Sequence, residues 1–282
     1  MKEIAIKVLY TILGLNASSG IVYSDDIIYA ISDQSNALYE YNTKTNETIY
    51  HSLDGNEINH AITKEEKYDL EAIVKDENTL FMVGSGSKSN RNLSFLFDTQ
   101  LQIADTLSLD YLYETTAEFS EIPLNEFNIE GVVKYKDDFI FMNRGNGKSN
   151  INALMVVQGK NLVDEFNTFT YTFNLPKINN VPTGFSDGIV IKDQLFFLAT
   201  AESSTSTYSD GNIGGTLLGA IDLKKMKLKF TKVISNNQKF EGIALKSING
   251  KNVEFLLCED NDMDNETSSN IYLLTAKLNS KP

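Results

Sequence analysis

At 282 residues and 41% hydrophobic, the chain has enough apolar side chain for a core and too much for disorder. A net charge of −13 disfavours phosphate polyanions and anionic membrane surfaces as partners and suits a cation or a cationic ligand. A single cysteine, Cys258, rules out an intramolecular disulfide, and its apolar surroundings Phe255-Leu256-Leu257 read as buried strand.

In chain order, the N-terminus, from Met1 to Ala17, imitates a short signal peptide around the apolar segment Ile4 to Leu13. Lys7 and Thr11 interrupt it and Glu3 sits in the would-be basic region, so a strand is expected, and with it a cytoplasmic protein. Export is the alternative that goes with the signal-peptide reading. No stretch reaches the ~20 apolar residues of a membrane-spanning helix.

Then a signature recurs. Ser19-Gly20-Ile21, Glu71-Ala72-Ile73, Glu130-Gly131-Val132, Asp187-Gly188-Ile189 and Glu241-Gly242-Ile243 each open an apolar strand. Their first residues lie 52, 59, 57 and 54 positions apart. A repeat of this length fits a four-stranded propeller blade. The first copy continues with strands at Ile27–Ile31, Ala37–Tyr41 and Thr48–Leu53, separated by the turns Asp25-Asp26 and Asn42–Asn46. Later copies repeat it with Leu80–Val83 and Leu93–Phe97, Phe139–Met142 and Ala153–Val157, and Leu195–Leu198 and Leu217–Ile221.

The fifth copy, with Val253–Cys258 and Ile271–Thr275, ends one strand short. The N-terminal segment supplies it, which closes the ring and removes an open sheet edge. The fold expected is a single all-β domain over 1–282, a five-bladed β-propeller closed by its N-terminal strand. A sixth blade in the linker Leu101–Asn125 is the alternative.

The start of strand one and the end of strand two share a face, since the strands are antiparallel neighbours. One channel mouth therefore gathers Glu71, Glu130, Asp187 and Glu241. Fourteen residues on from the first four signatures lie Asp33, Ser85, Arg144 and Ala201, and the matching residue in the fifth is Glu259. Asp69 and Asn128, two residues before their glutamates, join them.

Converging carboxylates repel unless a metal binds, some are protonated, or a cation such as Arg144 intervenes. Oxygen ligands in loose geometry suit Ca²⁺, and the lack of His and Cys disfavours zinc. The expected ligands are Glu71, Asp187 and Glu241. Glu130 is then a base and Arg144 an orienting cation in hydrolysis of a small ester, lactone or phosphoester. The bland alternative is that the acids accept backbone N–H bonds and knit the blades together.

Asp33, Ser85 and Glu259 are expected around a ligand. Lys88 and Lys148, in two glycine-rich loops sharing Lys-Ser-Asn, are candidates to hold an anion. Asp260, Asp262 and Asp264 stand at positions 1, 3 and 5 of a calcium loop whose position 12 is Ile271 rather than glutamate, an alternative metal site. A second class of function, a non-catalytic propeller binding a small molecule or protein on this face, fits the same residues.

The openings Asp69-Leu70-Glu71, Asn128-Ile129-Glu130-Gly131 and Phe240-Glu241-Gly242-Ile243-Ala244, with Gly84-Ser85-Gly86-Ser87 and Asn143-Arg144-Gly145-Asn146, resemble bacterial esterase-like or phytase-like β-propellers and propeller families of unknown function. That likeness implies architecture and no particular activity. Glu241-Gly242 and Asp187-Gly188 are also similar to the metal-binding strands of calcium-dependent lactonase propellers of the gluconolactonase and regucalcin kind. That resemblance implies one channel metal, in enzymes that generally have six blades.

Overall fold

The computed structural model describes residues 2–202, 213–260 and 267–279. The chain opens with the twelve-residue β1 (Lys2–Leu13). Blade one follows as β2 (Ser18–Ser24), β3 (Ile27–Ser32), β4 (Ala37–Asn42) and β5 (Thr48–Ser52), and blade two as β6 (Leu70–Asp76), β7 (Thr79–Gly84), β8 (Leu93–Asp98) and β9 (Ile103–Ser108). After helix α1 (Asp110–Phe119) comes blade three, β10 (Ile129–Tyr135), β11 (Asp138–Asn143), β12 (Asn152–Asn161) and β13 (Glu165–Phe173). Blade four is β14 (Thr183–Ile191), β15 (Gln194–Glu202), β16 (Ile213–Asp222) and β17 (Lys227–Ser235). Blade five is β18 (Phe240–Asn249), β19 (Asn252–Glu259) and β20 (Ser268–Lys277), completed by β1 in the order β1-β20-β19-β18.

All five sheets are antiparallel, and the first strand of each lines a central channel. β1 pairs with β20 from Lys2↔Lys277 to Leu13↔Ser268. It also buries side chains on both sides, Ile4 and Ile6 toward blade four and Ile12 toward blade one. The N-terminal segment is thus the missing outer strand. The linker over Leu101–Asn125 adds no sixth blade, for it contains the outer strand β9 and α1. The helix buries Leu112, Tyr113, Thr116 and Ala117, one stripe at helical spacing, over the layer between blades two and three.

The core is five apolar layers between successive blades, which is why the inner strands read as runs rather than strict alternations. Near the axis the backbones crowd. A Cβ on Gly242 would lie 3.0 Å from Ile21 N and 3.1 Å from Gly20 Cα, so glycine there permits blade five to abut blade one. Cys258 is fully buried against this contact, and burial pushes its thiol pKa up, as befits a core residue.

Candidate functional site

Each inner strand has a break in register at one level: between Ser18 and Gly20, Leu70 and Ala72, Ile129 and Gly131, Phe185 and Asp187, and Phe240 and Gly242. One residue per blade is therefore unpaired and re-aimed, as in a β-bulge. These residues are Ser19, Glu71, Glu130, Ser186 and Glu241. In blade four the expected Asp187 is displaced by one. Ser186 holds the position, and Asp187 stands level with Gly20, Ala72, Gly131 and Gly242.

The two serines tie blades together. Ser19 Oγ donates to Leu70 O at 2.5 Å, and Ser186 Oγ donates to Phe240 O at 3.1 Å. Asp187 does likewise: its Oδ2 accepts from Ile243 N at 2.8 Å, and burial raises its carboxyl pKa well above the ordinary value. Asp187 thus lies in the seam between blades four and five, away from the metal-ligand position expected of it.

Two of the three glutamates, Glu130 and Glu241, enter a charged network. Arg144 Nη1 reaches Glu130 Oε2 at 3.2 Å and Glu241 Oε1 at 3.6 Å, while its Nη2 reaches Glu202 Oε2 at 2.7 Å. Gly184 makes room for it, since a Cβ there would lie 2.4 Å from Arg144 Cγ. Lys239 Nζ continues the chain to Glu241 Oε1 at 3.1 Å and Asp260 Oδ2 at 2.8 Å. Asn128 Nδ2 donates to Glu130 Oε1 at 2.6 Å. Burial raises the proton affinity of Glu130 and Glu241, and the neighbouring Arg144 and Lys239 oppose it.

A second knot holds blades one and two. Lys67 Nζ pairs with Asp33 and lies 2.7 Å from Asp69 Oδ1, and Arg91 Nη1 lies 2.6 Å from Asp69 Oδ2. Ser85 Oγ donates to Asp69 Oδ2 at 2.5 Å. Burial lifts the Asp33 carboxyl to about 6 against the pull of Lys67.

Glu71 stands between the knots and is different. Among the described residues it has no hydrogen-bond or ion-pair partner. Burial, then the charges of Glu130, Asp69, Asp33 and Glu241, raise its proton affinity well above the usual carboxylate range. Asp33, Asp69 and Glu71 each offer an oxygen such that all three lie within 4.8 Å of one another. The donor set is all oxygen, the chemistry of a hard cation. Asp33 Oδ1 is buried without a hydrogen-bond partner among the described residues, which adds a ligand atom, while the Lys67 ammonium already holds part of the same space.

The remaining expected residues fall elsewhere. The end-of-strand-two position is set by equivalent backbone bonds, Ser85 N to Asp69 O, Arg144 N to Asn128 O and Asp260 N to Lys239 O. The fifth member is therefore Asp260, and Glu259 is not at that position. Glu259 pairs with Phe240 in the ladder, and its carboxylate takes the Tyr272 hydroxyl and Gln238 Nε2 on the blade's flank. By the same register Thr200, opposite Gly184, replaces Ala201.

Lys88 is half-buried, and its loop is held by Asn90 Nδ2, which donates to Glu65 O and Lys67 O at 3.2 Å each. Lys148 is exposed in a loop clasped by Glu126, which accepts from Ser149 N at 2.9 Å and from Ser149 Oγ. Asp262 and Asp264 lie outside the described residues, and Asp260 is engaged by Lys239.

Sequence reasoning missed Lys67, Arg91, Glu202 and Lys239. Lys239 was within reach, for it stands two residues before Glu241 as Asp69 and Asn128 stand before theirs. Among the described residues the mouth holds seven carboxylates (Asp33, Asp69, Glu71, Glu130, Glu202, Glu241 and Asp260) against four cations (Lys67, Arg91, Arg144 and Lys239). Repulsion among the acids is thus relieved mainly by built-in cations.

Three comparisons place this geometry among known proteins. The model of a family of unknown function, DUF6929, matches residues 14–276. No curated protein matches the sequence. Among solved structures, the Malassezia sympodialis allergen Mala s 1 is similar at a TM-score of 0.57 and 12% identity, over 95% of this chain and 96% of that one. Glutaminyl cyclase of Myxococcus xanthus follows at a TM-score of 0.54 and 10% identity, over 96% and 97%. A luciferin-regenerating enzyme reaches 0.50 and 8%, over 99% and 97%. At such identities these likenesses speak to fold alone.

Proposed function

We propose, for this chain that belongs to DUF6929, a family of unknown function, that the charged channel mouth is a reaction site for a small polar molecule, with Glu71 as its acid–base group. The reaction class we propose is hydrolysis of a small ester, lactone or phosphoester. The observation that carries this reading is the Glu71 carboxyl, unpartnered among the described residues and with a raised proton affinity. A carboxyl whose affinity is moved toward neutrality suits proton transfer near neutral pH. Two of the similar folds belong to proteins named as enzymes, which is compatible with the reading.

The base role first expected of Glu130 passes to Glu71, because Glu130 is held by Arg144 and Asn128. Arg144 is likewise committed to three carboxylates, so in this reading it and Lys239 fix the floor of the site. Asp33, Asp69 and Glu71 would hold a hard divalent cation, Ca²⁺ included, with Lys67 displaced toward one carboxylate. Such an ion would supply polarisation of the substrate oxygen.

The test is a thermal melt in EDTA and then in Ca²⁺, Mg²⁺ or Mn²⁺, followed by turnover of p-nitrophenyl acetate, a γ-lactone and p-nitrophenyl phosphate. A ligand that binds only the folded state raises the midpoint. Turnover that disappears in Glu71→Gln while the fold persists supports the reading. Absence of turnover with every substrate and ion overturns it and favours a non-catalytic binding propeller, a reading the tight pairing of Arg144 already favours.

A further inference from the structure

The same inner strands that carry charge at one mouth build a different cavity at the other. It measures about 490 Å³ and is lined by residues from the first strand of all five blades. Three positions past the bulge stand Val22, Val74, Val133, Ile189 and Ala244, an aliphatic wall from every blade. The volume lies within the ~300–1,000 Å³ usual for small-molecule pockets, which are mostly apolar with a few polar groups.

Those polar groups are not equivalent. The Tyr23 hydroxyl donates to Asp26 at 3.2 Å. Lys134 is neutralised by Asp76 at 2.6 Å and lies 4.3 Å from the centre of the Phe139 ring. Glu77 is exposed in the turn between β6 and β7. Lys75 Nζ donates to Ser24 Oγ at 2.9 Å, and the described residues give it no carboxylate. A half-buried lysine whose ammonium, among the described residues, bonds only to a neutral hydroxyl beside an aliphatic wall is suited to a carboxylate or another anion.

We propose that this second mouth binds a small amphipathic anion, its apolar body against the valine wall and its charged head on Lys75. The proposal does not rest on the reading of Glu71, which lies at the opposite end of the strand.

The test is isothermal titration with octanoate, octylammonium and octanol. Octanoate should saturate one site, with the cationic and neutral probes weaker by about fivefold or more, the worth of one partly exposed ion pair. Lys75→Met should erase the preference of octanoate over octanol, Lys75→Arg should keep it, and Glu71→Gln should leave octanoate binding unchanged. Equal affinity for the three probes, no saturable binding of octanoate, or loss in Glu71→Gln with Lys75→Met unaffected would each overturn the proposal.

Discussion

Blades one and four differ from blades two, three and five at one residue. All five inner strands bulge at the same level, yet Ser19 and Ser186 turn their hydroxyls onto the next blade's backbone, whereas Glu71, Glu130 and Glu241 turn charge into the channel mouth. The backbone device is common and the side chain decides its use. A short side chain satisfies a buried carbonyl and closes a seam. A long anionic one reaches the axis, where Arg144 and Lys239 pair with Glu130 and Glu241 while, among the described residues, no cation pairs with Glu71.

If that contrast holds, the largest effect comes from removing a cation. Arg144→Met removes the cation that Glu130, Glu202 and Glu241 share in a buried site and should cost about 3–5 kcal/mol in a urea melt. A loss below ~1 kcal/mol would show the glutamates to be independent of it. Next, Glu241→Ser turns blade five into a serine blade. Because Lys239 keeps Asp260 and Arg144 keeps two partners, the loss should be about 1–2 kcal/mol by the same melt. Ser186→Ala removes one seam hydrogen bond and should cost about 1 kcal/mol without altering any response to added cations.

The smallest stability effect, and one that depends on pH, belongs to Glu71. Its folded-state proton affinity exceeds that of the unfolded chain, so folding takes up a proton between the ordinary carboxylate pKa of about 4.3 and the raised value. Through this group, stability is lower at neutral pH and rises as pH falls across that window. Glu71→Gln should remove that component and leave neutral-pH stability unchanged or slightly higher. A wild-type and variant pair with identical pH–stability curves would contradict the assignment.

The blade repeat was legible because each copy pairs an apolar run with turn residues at a constant offset, and the closing strand because blade five is otherwise one strand short. The site was legible only where a residue's role follows from the repeat. Glu71, Glu130, Glu241 and Arg144 were found that way. Ser186 was hidden because Ser186-Asp187-Gly188 fits the signature in two alignments one residue apart, and only backbone pairing separates them. Glu259 and Asp260 were confused for the same reason, a neighbouring acid one step away across a pleat that reverses side-chain direction. Lys67 and Arg91 stand in segments without repeat symmetry, so no copy-to-copy comparison marks them, and Glu202 ends β15 two residues beyond the residue equivalent to Arg144.

The pairing of β1 with β20 also orders events in time. Lys2 lies opposite Lys277, so blade five cannot be completed until β20 has left the ribosome. Four blades can assemble during synthesis from contacts within a few tens of residues. Through that interval the first strand emerges early and waits, an apolar ribbon without its partner. Until β20 arrives, the nascent chain is an open arc and the two halves of the channel rim have not met.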